Sequence, residues 1–380
     1  MAVLFILMTC GVTPAPAGDR FIPTDDSTVV ERLRERPLNR TDIELRSARA
    51  RLRAAPNELP TALAVAERSM AIARRDGDPR YLGYAQAALA PWFAQADPPL
   101  PVRLLRATLL QSVHQFNPAL AELDEILRRQ PREAQAWLTR ASVLQVLGRY
   151  ADAAASCERL PDLGAAFYAE ACLAELQSLT GHAAEGHSRL AALRASTRGG
   201  ADVSWLALVM AEMEERMGEF TAAEAHYREA LAGNADAYTK AAYADFLLDR
   251  GRPIEVISLL EREQRADPLL LRLALAYRAQ HRPELVAAVE ALQARFDAAR
   301  LRGDRVHLRE EARFELSLRD RPLVALALAG EDWSIQKEPA DARILLESAA
   351  AAKEPQEAAA VIKFLHESRL ADQRLGRWLP

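Results

Sequence analysis

Between Leu100 and Pro268, apolar residues recur at helical spacing in blocks of about 14 residues, each closed by a single marker residue. Four of the markers are glycines: Gly148, Gly181, Gly218 and Gly251, spaced by 33, 37 and 33 residues. His114 holds the equivalent place 34 residues before Gly148. The local sequences are L-G-R-Y, T-G-H-A, M-G-E-F and R-G-R-P, and helical patterning resumes after each. Glycine suits such a place because the residue that ends a helix often turns left-handed, where a Cβ would clash. The pattern therefore predicts antiparallel helix pairs joined by short turns.

Two further positions keep the same frame. Ala107, Ala141, Ala174, Ala211 and Ala244 lie seven residues before the markers, and Ala119, Ala153, Gly186, Ala223 and Val256 lie five after. Small side chains at these places let paired helices approach closely. Phe116, Tyr150 and Phe220 follow their markers by two and are expected to plug the gap between helices. Pro131 and Pro268 stand where one repeat hands over to the next.

With Trp137, Ala141, Leu144, Gly148, Tyr150 and Ala153 in this register, the chain resembles the tetratricopeptide repeat family. The stretches Leu100–Pro131, Ala134–Ala165, Ser204–Ala235 and Ala237–Pro268 carry the resemblance, over roughly half the chain. The Leu-Gly pair of that family's first helix is absent, and Ala183 stands where an aromatic is usual. The resemblance implies an all-α fold, a right-handed α-α superhelix of antiparallel pairs. It also implies a role in protein–protein interaction. One pair cannot bury its own apolar face, whereas stacked pairs share a continuous core.

Degenerate copies extend the pattern on both sides. The expected organisation is a leader over 1–17, a linker over 18–40, degenerate repeats over 41–99, core repeats over 100–268, and further degenerate repeats with a cap over 269–380. Thr41–Ala54 and Leu59–Arg75 read as one helix pair, with another helix over Tyr81–Phe93. Later helices are expected over Leu269–Gln280, Pro283–Arg302, Val306–Leu318, Pro322–Ala329, Asp341–Ala352 and Glu357–Ser368, with a loop around Trp333–Pro339. Leu375, Trp378 and Leu379 are expected to cap the open end of the stack.

Composition narrows the function classes. The net charge of −4, from 49 basic and 53 acidic residues, lacks the basic excess of a nucleic-acid binder. The arginines are spread along the chain rather than clustered. Ala2–Met8 is apolar but too short to span a bilayer. With Ala15 and Ala17 as an A-x-A site it resembles a secretory signal peptide, although no Lys or Arg precedes it. Export to the periplasm is expected. Leu7-Met8-Thr9-Cys10 offers a lipoprotein anchor as the alternative. Cys157 and Cys172 fall on neighbouring helices, as a disulfide in an oxidising compartment or as two buried thiols.

No G-x-S-x-G, P-loop, H-E-x-x-H or Rossmann fingerprint occurs. His182 and His187 are five apart, a poor spacing for one helix face. No enzyme activity, cofactor or metal is therefore expected. Glu214-Glu215 and Glu310-Glu311 read as solvated helix faces. One constellation is sharper. Tyr168, Trp205 and Tyr238 lie thirteen residues before three successive glycines, and Glu175, Glu212 and Asp245 lie six before the same glycines. Seven residues apart, each pair shares a helix face. In the family frame these six residues line the concave groove. They suit a protein or peptide partner carrying Arg or Lys, bound through charge pairing and cation–π contact. The alternative is a small-ligand or carbohydrate binder using the same surface, which calls for a deep pocket rather than an open groove.

Overall fold

The computed structural model describes Asp25, residues 40–301 and residues 303–378. The expected leader with Cys10, nearly all of the linker, and Leu379 lie outside the described residues. The chain divides into a short unit ending at Ile43 and a large unit over Glu44–Pro380, and the architecture below is that of the large unit.

No strand occurs among the described residues. Helix α1 (Arg40–Ala54) is followed by α2 (Leu59–Asp76) and α3 (Arg80–Phe93). The core repeats are α4 (Leu100–Ser112) with α5 (Phe116–Arg129), and α6 (Ala134–Val146) with α7 (Tyr150–Cys157). Then come α8 (Ala166–Leu179) with α9 (Ala183–Ser196), α10 (Ala201–Met217) with α11 (Phe220–Gly233), and α12 (Ala237–Asp249) with α13 (Pro253–Leu260). The pattern continues through α14 (Asp267–Ala279) with α15 (Leu285–Leu301), α16 (Leu308–Ser317) with α17 (Pro322–Ile335), and α18 (Pro339–Ala352) with α19 (Ala359–Ser368). Consecutive helices pack as pairs, giving an all-α superhelical repeat.

The turn frame is present in the backbone. Gly148, Gly181, Gly218 and Gly251 have φ of 72°, 86°, 84° and 69°, and His114 joins them at 57°. His281, Asp320 and Lys353 take the same left-handed conformation and continue the turns through the degenerate repeats. The small residues at the two close-packing places, from Ala107 to Ala244 and from Ala119 to Val256, are buried. Phe116 and Tyr150 are buried between their helices.

Three expectations change. Helix α2 makes its close hairpin with α3, while Leu45 and Ala48 of α1 pack on Val65, Ile72 and Ala88. Trp333 belongs to α17, which continues to Ile335, because its ring has a partner: it meets Phe364 edge-on at 5.3 Å between centroids. The C-terminal segment does not simply cap an open end. Leu370 and Leu375 join one core cluster with Leu144, Leu176, Leu179, Val361 and Leu365. Burying each such leucine contributes about 2 kcal/mol. The Gln373 amide donates to the Arg216 carbonyl at 2.9 Å, and the Lys337 amide donates to the Val146 carbonyl at 2.8 Å. Residues late in the chain are thus stitched by main-chain hydrogen bonds to α6 and α10.

Cys157 and Cys172 are paired as a disulfide that links α7 to α8, with Cα atoms 6.2 Å apart. No helix among the described residues is long and apolar enough to cross a membrane.

Candidate functional site

The first helices of successive pairs present one face to a common cavity of about 620 Å³. Its wall takes Glu175 from α8, Glu212, Glu215 and Arg216 from α10, and Tyr238 and Asp245 from α12. Later elements close the other side with Arg272 of α14, Arg309 and Arg313 of α16, Lys337 and Glu338 of the following loop, and Arg343 of α18. Four of the six residues singled out from the sequence, Glu175, Glu212, Tyr238 and Asp245, therefore meet in one cavity. The facing arginines were not legible as site residues, because they come from other repeats: Arg272 meets Asp245 from the next pair at a separation of 27, and Arg313 meets it at a separation of 68.

Most charges in this wall are already paired. Asp245 accepts from Arg272 Nη2 at 2.6 Å and from Arg313 Nη1 at 2.5 Å. Burial pushes its pKa up, but the two guanidinium groups outweigh burial and hold it below the usual carboxylate range. Arg309 donates to Glu338 at 2.9 Å and to Asp341 at 3.0 Å. Burial opposes ionisation of Glu310, yet Arg309 and Arg272 bring its pKa down to about 2. Arg343 forks onto Asp249 at 2.5 and 2.8 Å.

Glu175 and Glu212 differ. Neither has a cationic side chain within 4 Å among the described residues, and each is held above the usual carboxylate range mainly by burial. Glu212 is pushed up to about 7 and accepts a hydrogen bond from the Tyr238 hydroxyl at 2.8 Å. Tyr238 keeps 56% of its surface accessible although it lies deep in the molecule, because that surface faces the cavity.

Tyr168 and Trp205 are not in the cavity wall. They stand together, 37% and 38% exposed, with ring centroids 6.1 Å apart. Phe167 completes the cluster at 5.1 Å from Tyr168 and 6.1 Å from Trp205. The Tyr168 hydroxyl lies 3.5 Å from a carboxylate oxygen of the exposed Asp202. The structure thus divides the six residues into an aromatic surface pair and an interior polar group.

The adjacent glutamates are not solvated faces, as expected above, but buried. Glu214 is 2% exposed and is gripped by His187 Nε2 at 2.9 Å from α9 and His226 Nδ1 at 2.7 Å from α11. That hydrogen bond raises the pKa of His226. Glu215 accepts from the Tyr227 hydroxyl at 2.7 Å and faces Arg374 at 3.4 Å. Glu310 faces Arg272 of α14 at 3.8 Å besides Arg309 of its own helix, and Glu311 pairs with Arg300 of α15 at 2.7 Å. Adjacent residues on a helix diverge, so the two carboxylates of each pair reach different partners. Among the described residues, no group of three His, Cys, Asp or Glu side chains is arranged to hold a metal ion.

No family model matches the sequence, and no curated protein matches it. Among solved structures, a chain of the APC/C hetero-tetramer Cut9-Hcn1 is similar at 13% identity, with a TM-score of 0.52 over 85% of this chain and 64% of that one. The P58(IPK) TPR domain aligns over 89% of this chain and 96% of that one at 14% identity, with a TM-score of 0.23. The chain spans less than two thirds of the Cut9-Hcn1 chain it matches. Together with the left-handed turns and the close-packed small residues, the first of these likenesses assigns the fold: a tetratricopeptide-type helical repeat.

Proposed function

We propose that this protein is a non-catalytic interaction scaffold of the bacterial cell envelope that holds a protein partner through the Tyr168–Trp205 surface. The observation that carries the reading is the pairing of two large aromatics from successive repeats, side by side and more than a third exposed, beside Asp202. Large aromatics dominate binding energy where they anchor a partner, and a nearby carboxylate favours a basic side chain stacked on the rings. The repeat architecture supports the reading, since such arrays present extended surfaces built from neighbouring repeats. The Cys157–Cys172 pairing and the apolar leader with its A-x-A site support export, because disulfides persist in oxidising compartments.

The test is affinity capture from the envelope fraction with the wild type and with Trp205→Ala, read by mass spectrometry at two salt concentrations. The expected result is a partner retained by wild type, weakened by salt and lost by the variant at unchanged helicity. The same partners on both proteins would move the interface elsewhere. N-terminal sequencing of the exported chain is expected to begin near Gly18; recovery of the uncut chain from the cytoplasm alone would reject the location. The cavity supports a second reading, small-ligand binding, since its volume of about 620 Å³ falls in the range of small-molecule sites.

A further inference from the structure

The cavity holds carboxylates without a counter-charge and donors without an acceptor. The carboxylates Glu175 and Glu212 have no cationic side chain within 4 Å among the described residues; Glu212 accepts from the Tyr238 hydroxyl at 2.8 Å, and Gln145 hydrogen-bonds Glu175. Near them stand two donors. Arg216 is 8% exposed, faces no carboxylate within 4 Å among the described residues, donates to Ser178 Oγ at 2.8 Å, and leaves its Nε without a partner. Tyr150 is 9% exposed, and its hydroxyl has no partner. Tyr150, Glu175, Glu212 and Arg216 all line this one cavity, the last two one helical turn apart on α10. Elsewhere in the same wall, Asp245, Arg309 and Arg343 are satisfied at 3.0 Å or less. Buried polar groups are normally matched, and removing one from water without a partner is costly.

We propose that this region of the cavity binds a small zwitterion, an amino-acid-like molecule whose ammonium sits between Glu175 and Glu212 and whose carboxylate is taken by Arg216 and the Tyr150 hydroxyl. The inference rests on the small-ligand reading and is independent of the aromatic partner surface. It requires both signs of charge on the ligand, since a simple amine leaves Arg216 and Tyr150 unmatched and a simple carboxylate meets Glu175 and Glu212 with like charge. It also has a proton signature. Burial holds Glu212 partly protonated near neutral pH, and an ammonium beside it favours the ionised form, so binding releases protons.

The experiment is isothermal titration of the full chain at pH 7 in buffers of different ionisation enthalpy. The probes are an ω-amino acid series from glycine to 6-aminohexanoate, the matched alkylamines and alkanoates, and glucose. The expected result is binding of at least one ω-amino acid with proton release, about tenfold tighter than its matched amine or alkanoate. Glu212→Gln and Glu175→Gln are expected to weaken it by about tenfold, and Tyr150→Phe by a smaller factor, since it removes only an unmatched hydroxyl. All three variants are checked for wild-type helicity. Binding of glucose without proton release would overturn the zwitterion and keep the small-ligand reading. An amine binding as tightly as any amino acid would do the same. Binding of no probe, or amino-acid binding unchanged in all three variants, would overturn the assignment of this region altogether.

Discussion

Gly186 crosses Ala174 so closely that a β-carbon on Gly186 would stand 2.4 Å from the Ala174 carbonyl oxygen. The contact is made by backbone, so no flexible side chain can swing aside. Gly186→Ala gains helix propensity of about 1 kcal/mol but forces α8 and α9 apart. We expect net destabilisation of about 1–3 kcal/mol, read as a lower denaturation midpoint at unchanged slope. Ala223→Leu, at the equivalent crossing of α10 and α11, is expected to fall in the same range, since Ala223 is fully buried. An unchanged midpoint in both variants would refute the repeat register.

The repeat frame was legible because its signals are local and steric. A left-handed turn selects glycine, and a close crossing selects alanine or glycine, so Gly148 and Ala141 can be read one residue at a time. The later repeats were harder for the same reason. His281, Asp320 and Lys353 take the turn conformation with side chains, so no glycine marks them. Site residues were half legible. Helical spacing placed Glu175, Glu212, Tyr238 and Asp245 on one face, but what faces them depends on winding. Arg343 reaches Asp249 across 94 residues, and no local pattern encodes that meeting.

Glu212 sets a pH dependence whose sign can be worked out. Its pKa rises from 4.5 to about 7 in the folded chain, so the folded state binds more protons than the unfolded state between these values. Stability from this group is therefore greatest below its unfolded pKa and falls as pH rises toward the folded one. Glu212→Gln removes the cost of ionisation while keeping the shape. The variant is expected to match wild type near pH 4 and to exceed it by on the order of 1–3 kcal/mol at pH 8. Thermal midpoints at the two pH values check it, and an identical offset at both would contradict the shift.

Asp245 gives the opposite sign. With its pKa depressed by Arg272 and Arg313, it contributes stability above the usual carboxylate pKa that is lost as pH falls through the folded value. Asp245→Asn leaves two buried arginines without their counter-charge and is expected to cost about 3–5 kcal/mol at pH 7, and less in strong acid. Denaturation at pH 7 and pH 2 measures the difference, which would be absent if these groups were well solvated.

The Cys157–Cys172 link closes a loop with a sequence separation of 15. Its reduction, or the double change Cys157→Ser and Cys172→Ser, is expected to lower stability by about 3 kcal/mol. Titration of free thiols in the native protein under oxidising conditions gives the complementary check: reaction of both cysteines would show them unpaired.

The return of residues 364–375 to the earlier repeats changes how this array comes apart. In an ordinary solenoid each unit leans only on its neighbours, so the ends fray first and a break travels inward. Here Leu370, Gln373 and Leu375 bind residues of α6, α8 and α10. A tear starting at α19 therefore unlatches the middle of the molecule, and a tear in the middle frees the tail. Such mutual dependence makes unzipping all-or-none. Pulled from its two ends, the chain should rupture as one event rather than as a staircase of single repeats.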